Sequence, residues 1–118
     1  MQLSIAENQL KIDLDFWERV WSMYFNADLY IPLDHIVRAS TEKPIDNPLR
    51  QVRLPGTFLP GVIKAGTYYT GDGREFWYVN RSDNFLVLEL KNEFYKRIVL
   101  TVDRNQTWAE QINQQILV

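Results

Sequence analysis

The stretch from Val62 to Val102 constrains this chain most. It holds four short apolar runs, each bounded by turn-forming residues. Val62–Thr70 and Glu75–Asn80 flank Gly71-Asp72-Gly73-Arg74, whose two glycines supply the positive φ of a tight hairpin. Asn80–Asn84 forms a second turn, Phe85–Leu90 a third strand, Asn92–Tyr95 a connection and Arg97–Val102 a fourth strand. Strands so close in sequence predict an antiparallel meander.

The N-terminal part has two periods. Leu10, Ile12 and Leu14 alternate with Lys11 and Asp13, and Leu3–Ile5 precedes them across Ala6-Glu7-Asn8-Gln9, which reads as a short hairpin. The period then becomes helical. Trp17, Val20, Trp21 and Tyr24 make one apolar stripe, with Asp15 as N-cap, Glu18 completing a capping box, and an end near Asn26. Asp28–Pro32 is a short extended piece, Leu33–Ile36 one helical turn, and Ile36–Ala39 the start of another strand. Residues 40–61 carry Pro44, Pro48, Pro55, Pro60, Gly56 and Gly61, which predicts a long irregular connection with turns at Pro55-Gly56 and Pro60-Gly61. The tail Asn105–Leu117 has an apolar stripe of Ala109, Ile112 and Ile116. A capping box is expected at Thr107 and Glu110.

A length of 118 residues holds one domain, 1–118. With 46% hydrophobic and 24% charged residues the chain has the composition of a globular protein. The fold class is α+β: a strongly bent antiparallel sheet or small barrel, with an early short helix and a C-terminal capping helix.

Composition also excludes chemistry. The absence of cysteine removes disulfides, thiolate metal sites and a thiol nucleophile, and a single histidine removes a multi-histidine metal centre. The formal charge is -2. Residues 1–60 carry six basic and eight acidic side chains, and 61–118 carry seven of each, so no basic footprint for nucleic acid appears. The N-terminus shows no basic segment followed by a long apolar one, and the longest apolar runs are too short to cross a bilayer. A cytoplasmic location is expected, and the sequons at Asn80 and Asn105 are read as chance matches.

Few residues suggest a reaction. His35 follows Asp34 and lies near Ser40 and Thr41, but no nucleophile-elbow motif is present. Gly56 to Gly61 has the glycine spacing of a phosphate loop, then reads Val62-Ile63 where Lys and Ser/Thr are required. Asp13 and Asp15 would share a strand face, but nothing places them in a pocket. Tyr68, Tyr69, Phe76 and Tyr78 would give an aromatic hairpin face suited to stacking bases, which the acidic balance opposes. Most aromatics are assigned to the core. Arg50, Arg53 and Lys64, with Lys43, form the densest basic neighbourhood.

The order of phrases then carries a resemblance. Asp28-Leu29-Tyr30-Ile31-Pro32-Leu33-Asp34-His35-Ile36 is followed by Arg53-Leu54-Pro55-Gly56-Thr57-Phe58-Leu59-Pro60-Gly61, Lys64-Ala65-Gly66-Thr67-Tyr68, Phe76-Trp77-Tyr78 and Phe94–Leu100. This resembles a family of small uncharacterised bacterial proteins with a pleckstrin-homology-like domain, over about residues 10–110. The resemblance implies a bent antiparallel barrel closed by a C-terminal helix. Phosphoinositide-binding members of that fold cluster Lys and Arg around the first hairpin. Here Lys11 stands alone, so binding of membrane lipid headgroups is not expected.

The expected function is a non-enzymatic protein- or peptide-binding or scaffolding module. No catalytic residue, cofactor or metal is assigned. Phe58 and Leu59 are the apolar anchor, with Arg50, Arg53 and Lys64 beside them. An open edge strand is a second way to take a peptide. Homodimerisation suits the aromatic content. The alternative is a small-ligand or enzymatic barrel with a pocket near Tyr30, His35, Arg53 and Trp77.

Overall fold

A computed structural model describes residues 1–18, 28–42, 52–59, 63–70, 73–80 and 84–116, with the side chains of all except 52–59, 63, 64 and 70. The strands are β1 (Gln2–Ala6), β2 (Gln9–Asp13), β3 (Asp28–Pro32), β4 (Ile36–Ser40), β5 (Val52–Leu59), β6 (Ile63–Thr70), β7 (Gly73–Asn80), β8 (Phe85–Leu90) and β9 (Arg97–Thr101). A 3-10 turn at Leu33–His35 joins β3 to β4, and a C-terminal helix covers Asn105–Ile116.

Local chemistry explains the first hairpin. Glu7 and Asn8 have φ of 55° and 63°, the pair of positive values that a two-residue loop needs to match strand twist. The apolar set Leu10 and Ile12 then faces inward, and β2 pairs with both β1 and β3. At the end of β2 the period changes. The Asp15 carboxylate accepts from Glu18 N–H and the Glu18 carboxylate accepts from Asp15 N–H, both at 2.9 Å. This is the expected capping box, and helical structure starts at Phe16. Trp17, however, is 65% exposed and packs edge-on to Phe16 rather than into the core. The rest of the expected stripe lies outside the described residues.

Strands β1, β2 and β3 form one sheet in that order; the other six form a second in the order β4-β8-β9-β7-β6-β5. Among the described residues the strands therefore make two sheets and not one closed barrel. The meander is overturned as well. β9 lies between β7 and β8, parallel to β7 and antiparallel to β8. The reason is burial on both faces. Ile98, Val99 and Leu100 are all buried, as are Phe85 to Leu88, and runs without alternation belong in the middle of a sheet.

Two further expectations change. Val52–Leu59 is a strand paired to β6, not part of an irregular connection; Pro55-Gly56 falls where the register shifts between Arg53 and Gly56, a bulge and not a turn. The C-terminal helix begins at Asn105, with Trp108 N–H on the Arg104 carbonyl, so Thr107 stands inside it and no capping box forms there.

The main core lies between the two sheets. Leu10, Ile12, Leu29 and Ile31 meet Phe76, Leu88, Ile98 and Leu100, and Ile112 closes one end from the helix. Tyr68, Trp77, Val79, Val87 and Val99 form a second buried set. Because successive strand residues point to opposite faces, Trp77 and Val79 lie across the large sheet from Phe76 and Tyr78.

Candidate binding groove

The second buried set is held by a polar row that the registers line up. Tyr68, Glu75, Arg97, Glu89 and Arg38 stand side by side across β6, β7, β9, β8 and β4. Glu75 is 2% exposed. Its two oxygens accept from Arg97 Nη2 at 2.7 Å and from Trp77 Nε1 at 3.0 Å. Arg38 Nε meets Glu89 at 3.1 Å. A buried carboxylate needs such partners, because leaving it unpaired in a low dielectric is costly. With both Glu75 oxygens engaged, this row reads as structural.

The other face opens. A groove of about 580 Å³ lies between β3 and the large sheet. Leu29, Ile31, Leu90 and Ile98 give it an apolar lining. Tyr30 and Phe94 line it too and are 53% and 60% exposed. The Thr67 and Tyr95 hydroxyls, 2.9 Å apart, supply a polar spot. Its charged lining residues are Asp28 and Glu93, both acidic.

The segment 91–96 owes its shape to backbone bonds. Leu90 N–H donates to the Lys96 carbonyl at 2.8 Å, Lys91 N–H to His35 at 2.9 Å, and Lys96 N–H to Arg74 at 2.9 Å. Asn92 adopts φ 58°, a left-handed conformation that asparagine tolerates. Phe94 packs edge-on to Tyr95 at 5.0 Å, and the Arg74 guanidinium stacks over its ring at 4.1 Å. Gly73 sits beneath this segment at φ 143°, where a Cβ would come within 3.3 Å of Lys96. His35 Nδ1 lies 2.7 Å from a Glu93 oxygen, tying the 3-10 turn to the wall of the groove.

The residues singled out from the sequence divide accordingly. Tyr30 lines the groove, and His35 reaches it through Glu93. Trp77 belongs to the opposite face of the large sheet, so the four residues of the alternative pocket do not share one cavity. Phe58 and Leu59 stand at the end of β5, opposite Lys64 and Ile63, and Arg53 stands opposite Tyr68. The side chains of Phe58, Leu59, Arg53 and Lys64 lie outside the described residues, as does Arg50 altogether. The hairpin aromatics do not form an open stacking face, since Tyr68 and Phe76 are buried on opposite sides. Asp13 and Asp15 do not act as a pair: Asp13 faces Asp28 across β2 and β3, and Asp15 caps the helical turn.

Sequence reasoning missed Phe94 and Thr67. The Phe94-Tyr95 doublet in a connection otherwise made of polar residues was the available signal. Among the described residues no group of His, Asp and Glu is suited to hold a metal ion, and no helix is long and apolar enough to cross a membrane. No protein-family model matches the chain, and no curated protein and no solved structure matches it.

Proposed function

We propose that the chain is a non-enzymatic binding module that takes a peptide segment of a protein partner in the groove beside β3. The observation that carries this reading is the pairing of an apolar groove with exposed aromatic rings, Tyr30 and Phe94, on its walls. Rings that are both apolar and accessible are the usual anchors of recognition surfaces. The pleckstrin-homology-like resemblance belongs to the same proposal. Its support is the order of elements, strands followed by one terminal helix seated against β4 and β8.

The test is display selection of random heptapeptides on the full chain, repeated on Phe94→Glu and Thr67→Lys. Related peptides should be enriched on the native chain and lost from both variants while their circular dichroism stays native. Enrichment that survives both folded variants, or no enrichment at all, removes the groove as a peptide site.

A further inference from the structure

Resting on that reading, we infer that Arg74 is the anion receptor of the binding module and takes a carboxylate of the bound peptide beside Phe94. Strand alternation sets the place. Glu75 and Trp77 meet on one face of the large sheet, and Phe76 points to the other, into the main core. Arg74 shares the face of Phe76. Its register partner Tyr69 shares the face of Thr67, which lines the groove. The groove side of the sheet therefore runs on past Thr67 to Tyr69 and Arg74.

Rings hold the guanidinium. It stacks over Phe94 at 4.1 Å and over Tyr69 at 5.7 Å. A planar cation set against ring faces uses its flat side, and its N–H donors stay in the plane, directed outward. Arg74 is half-buried, and among the described residues its side chain has no hydrogen bond and no ion pair. Arg97, also half-buried, shows the contrast: it has its carboxylate, Glu75, at 2.7 Å. The acidic neighbours of Arg74 and Phe94 are engaged elsewhere. Glu75 lies on the far face with Arg97, and Glu93 is 2.7 Å from His35. A cation drawn partly out of water without an anion is costly. A guanidinium fork with its donors open is completed by a carboxylate in bidentate fashion.

The surroundings select that anion. Phosphorylated residues are gripped by clusters of arginines. Here Arg97 and Arg38 stand on the opposite face, in one row with Glu75 and Glu89, which leaves a single fork on the groove side among the described residues. One fork matches the two oxygens of one carboxylate. Phe94 is 60% exposed and lines the groove, so its ring joins the two parts of the site. The fitting segment carries an aliphatic residue for the groove next to a carboxylate for Arg74. An acidic side chain and a C-terminus present the same two oxygens.

The experiment titrates the full chain, isotope-labelled in its arginines, with a capped pentapeptide of glycine, leucine, glutamate, leucine and glycine. A second peptide has glutamine for glutamate. A third has glutamine and ends in a free carboxylate. The Arg74 Nε–H resonance is followed by NMR. It should move with the first peptide if the carboxylate is a side chain's, or with the third if it is a C-terminus. The second peptide should bind about tenfold more weakly than the better of the two. Arg74→Gln, with native circular dichroism, should bind all three alike. Equal affinity of the native chain for all three, an Arg74 resonance that does not move, or a carboxylate preference that survives in folded Arg74→Gln overturns the inference. So does the absence of binding by both carboxylate peptides. If display selection meanwhile enriches groove-dependent peptides that have no carboxylate, only this inference falls and the peptide-binding reading stands.

Discussion

Two edge strands of this molecule were treated in opposite ways. β4 ends the large sheet, and the C-terminal helix lies against it with Asn113 serving as a substitute strand for Ala39. β3 ends the small sheet, and a groove with exposed rings runs beside it. An uncovered edge invites pairing with another chain, so proteins cover, charge or interrupt edges that are not for use. The contrast teaches that edge protection here is selective. One primary amide, with a donor and an acceptor on adjacent atoms, satisfies both backbone groups of a strand residue, and nothing equivalent bonds to Tyr30 among the described residues.

Removing the helix's anchor should break the contrast most strongly. Ile112 is fully buried between the helix and the main core. Ile112→Ala should cost about 2–5 kcal/mol, measured by urea denaturation, since it leaves a cavity. A loss under about 1 kcal/mol would mean that the helix is not what closes that end of the core.

Asn113→Ala tests the amide itself. It strands the Ala39 N–H and carbonyl, and a loss of about 1–3 kcal/mol is expected for partly buried groups left unsatisfied. The uncovered edge should also pair with a second copy, seen as concentration-dependent dimer by sedimentation. A variant that stays monomeric and as stable as the native chain would show that the amide does not guard the edge.

Alkali provides a reference away from both edges. Burial pushes the Tyr78 hydroxyl up to about 12, and the Glu18 and Asp15 carboxylates push it the same way. The unfolded chain, with Tyr78 near 10, loses its proton first. The stability held by this group is therefore complete below about pH 10 and falls as pH rises toward 12. Tyr78→Phe should flatten that part of the stability-versus-pH curve. An unchanged slope would remove Tyr78 as its source.

The smallest effect on stability is expected at the open edge. Phe94→Ser removes an exposed ring, its edge contact with Tyr95 and its stack with Arg74. The cost should be about 1 kcal/mol or less, while peptide affinity drops at least tenfold. The opposite outcome, a large destabilisation with binding intact, would make Phe94 a structural residue.

The legible part of this fold was local. Glu7-Asn8 as a turn, Asp15 and Glu18 as a capping box, and Leu10 with Ile12 as an inward strand face each depend on neighbours a few residues away. The sequence points to Tyr30 and His35; Tyr30 lines the groove and His35 bonds to Glu93 on its wall. Two errors have one cause. Periodicity places Trp17 in the core, and residue type makes Pro55-Gly56 a turn. An apolar stripe does not say what will cover it, and a Pro-Gly pair serves a bulge as well as a turn.

Residue order alone determined the first hairpin and the extents of β3, β8 and, within a residue, β9, because backbone sterics, alternation and turn conformations act over a few residues. Only the tertiary structure decided that β9 slides between β7 and β8, that Glu75 finds Arg97, and that Asn113 covers the backbone of Ala39 on β4. Those outcomes join residues far apart in the chain, as with Ala39 and Asn113, 74 positions apart. They follow from burying a shared apolar surface and satisfying polar groups within it, which no local pattern encodes.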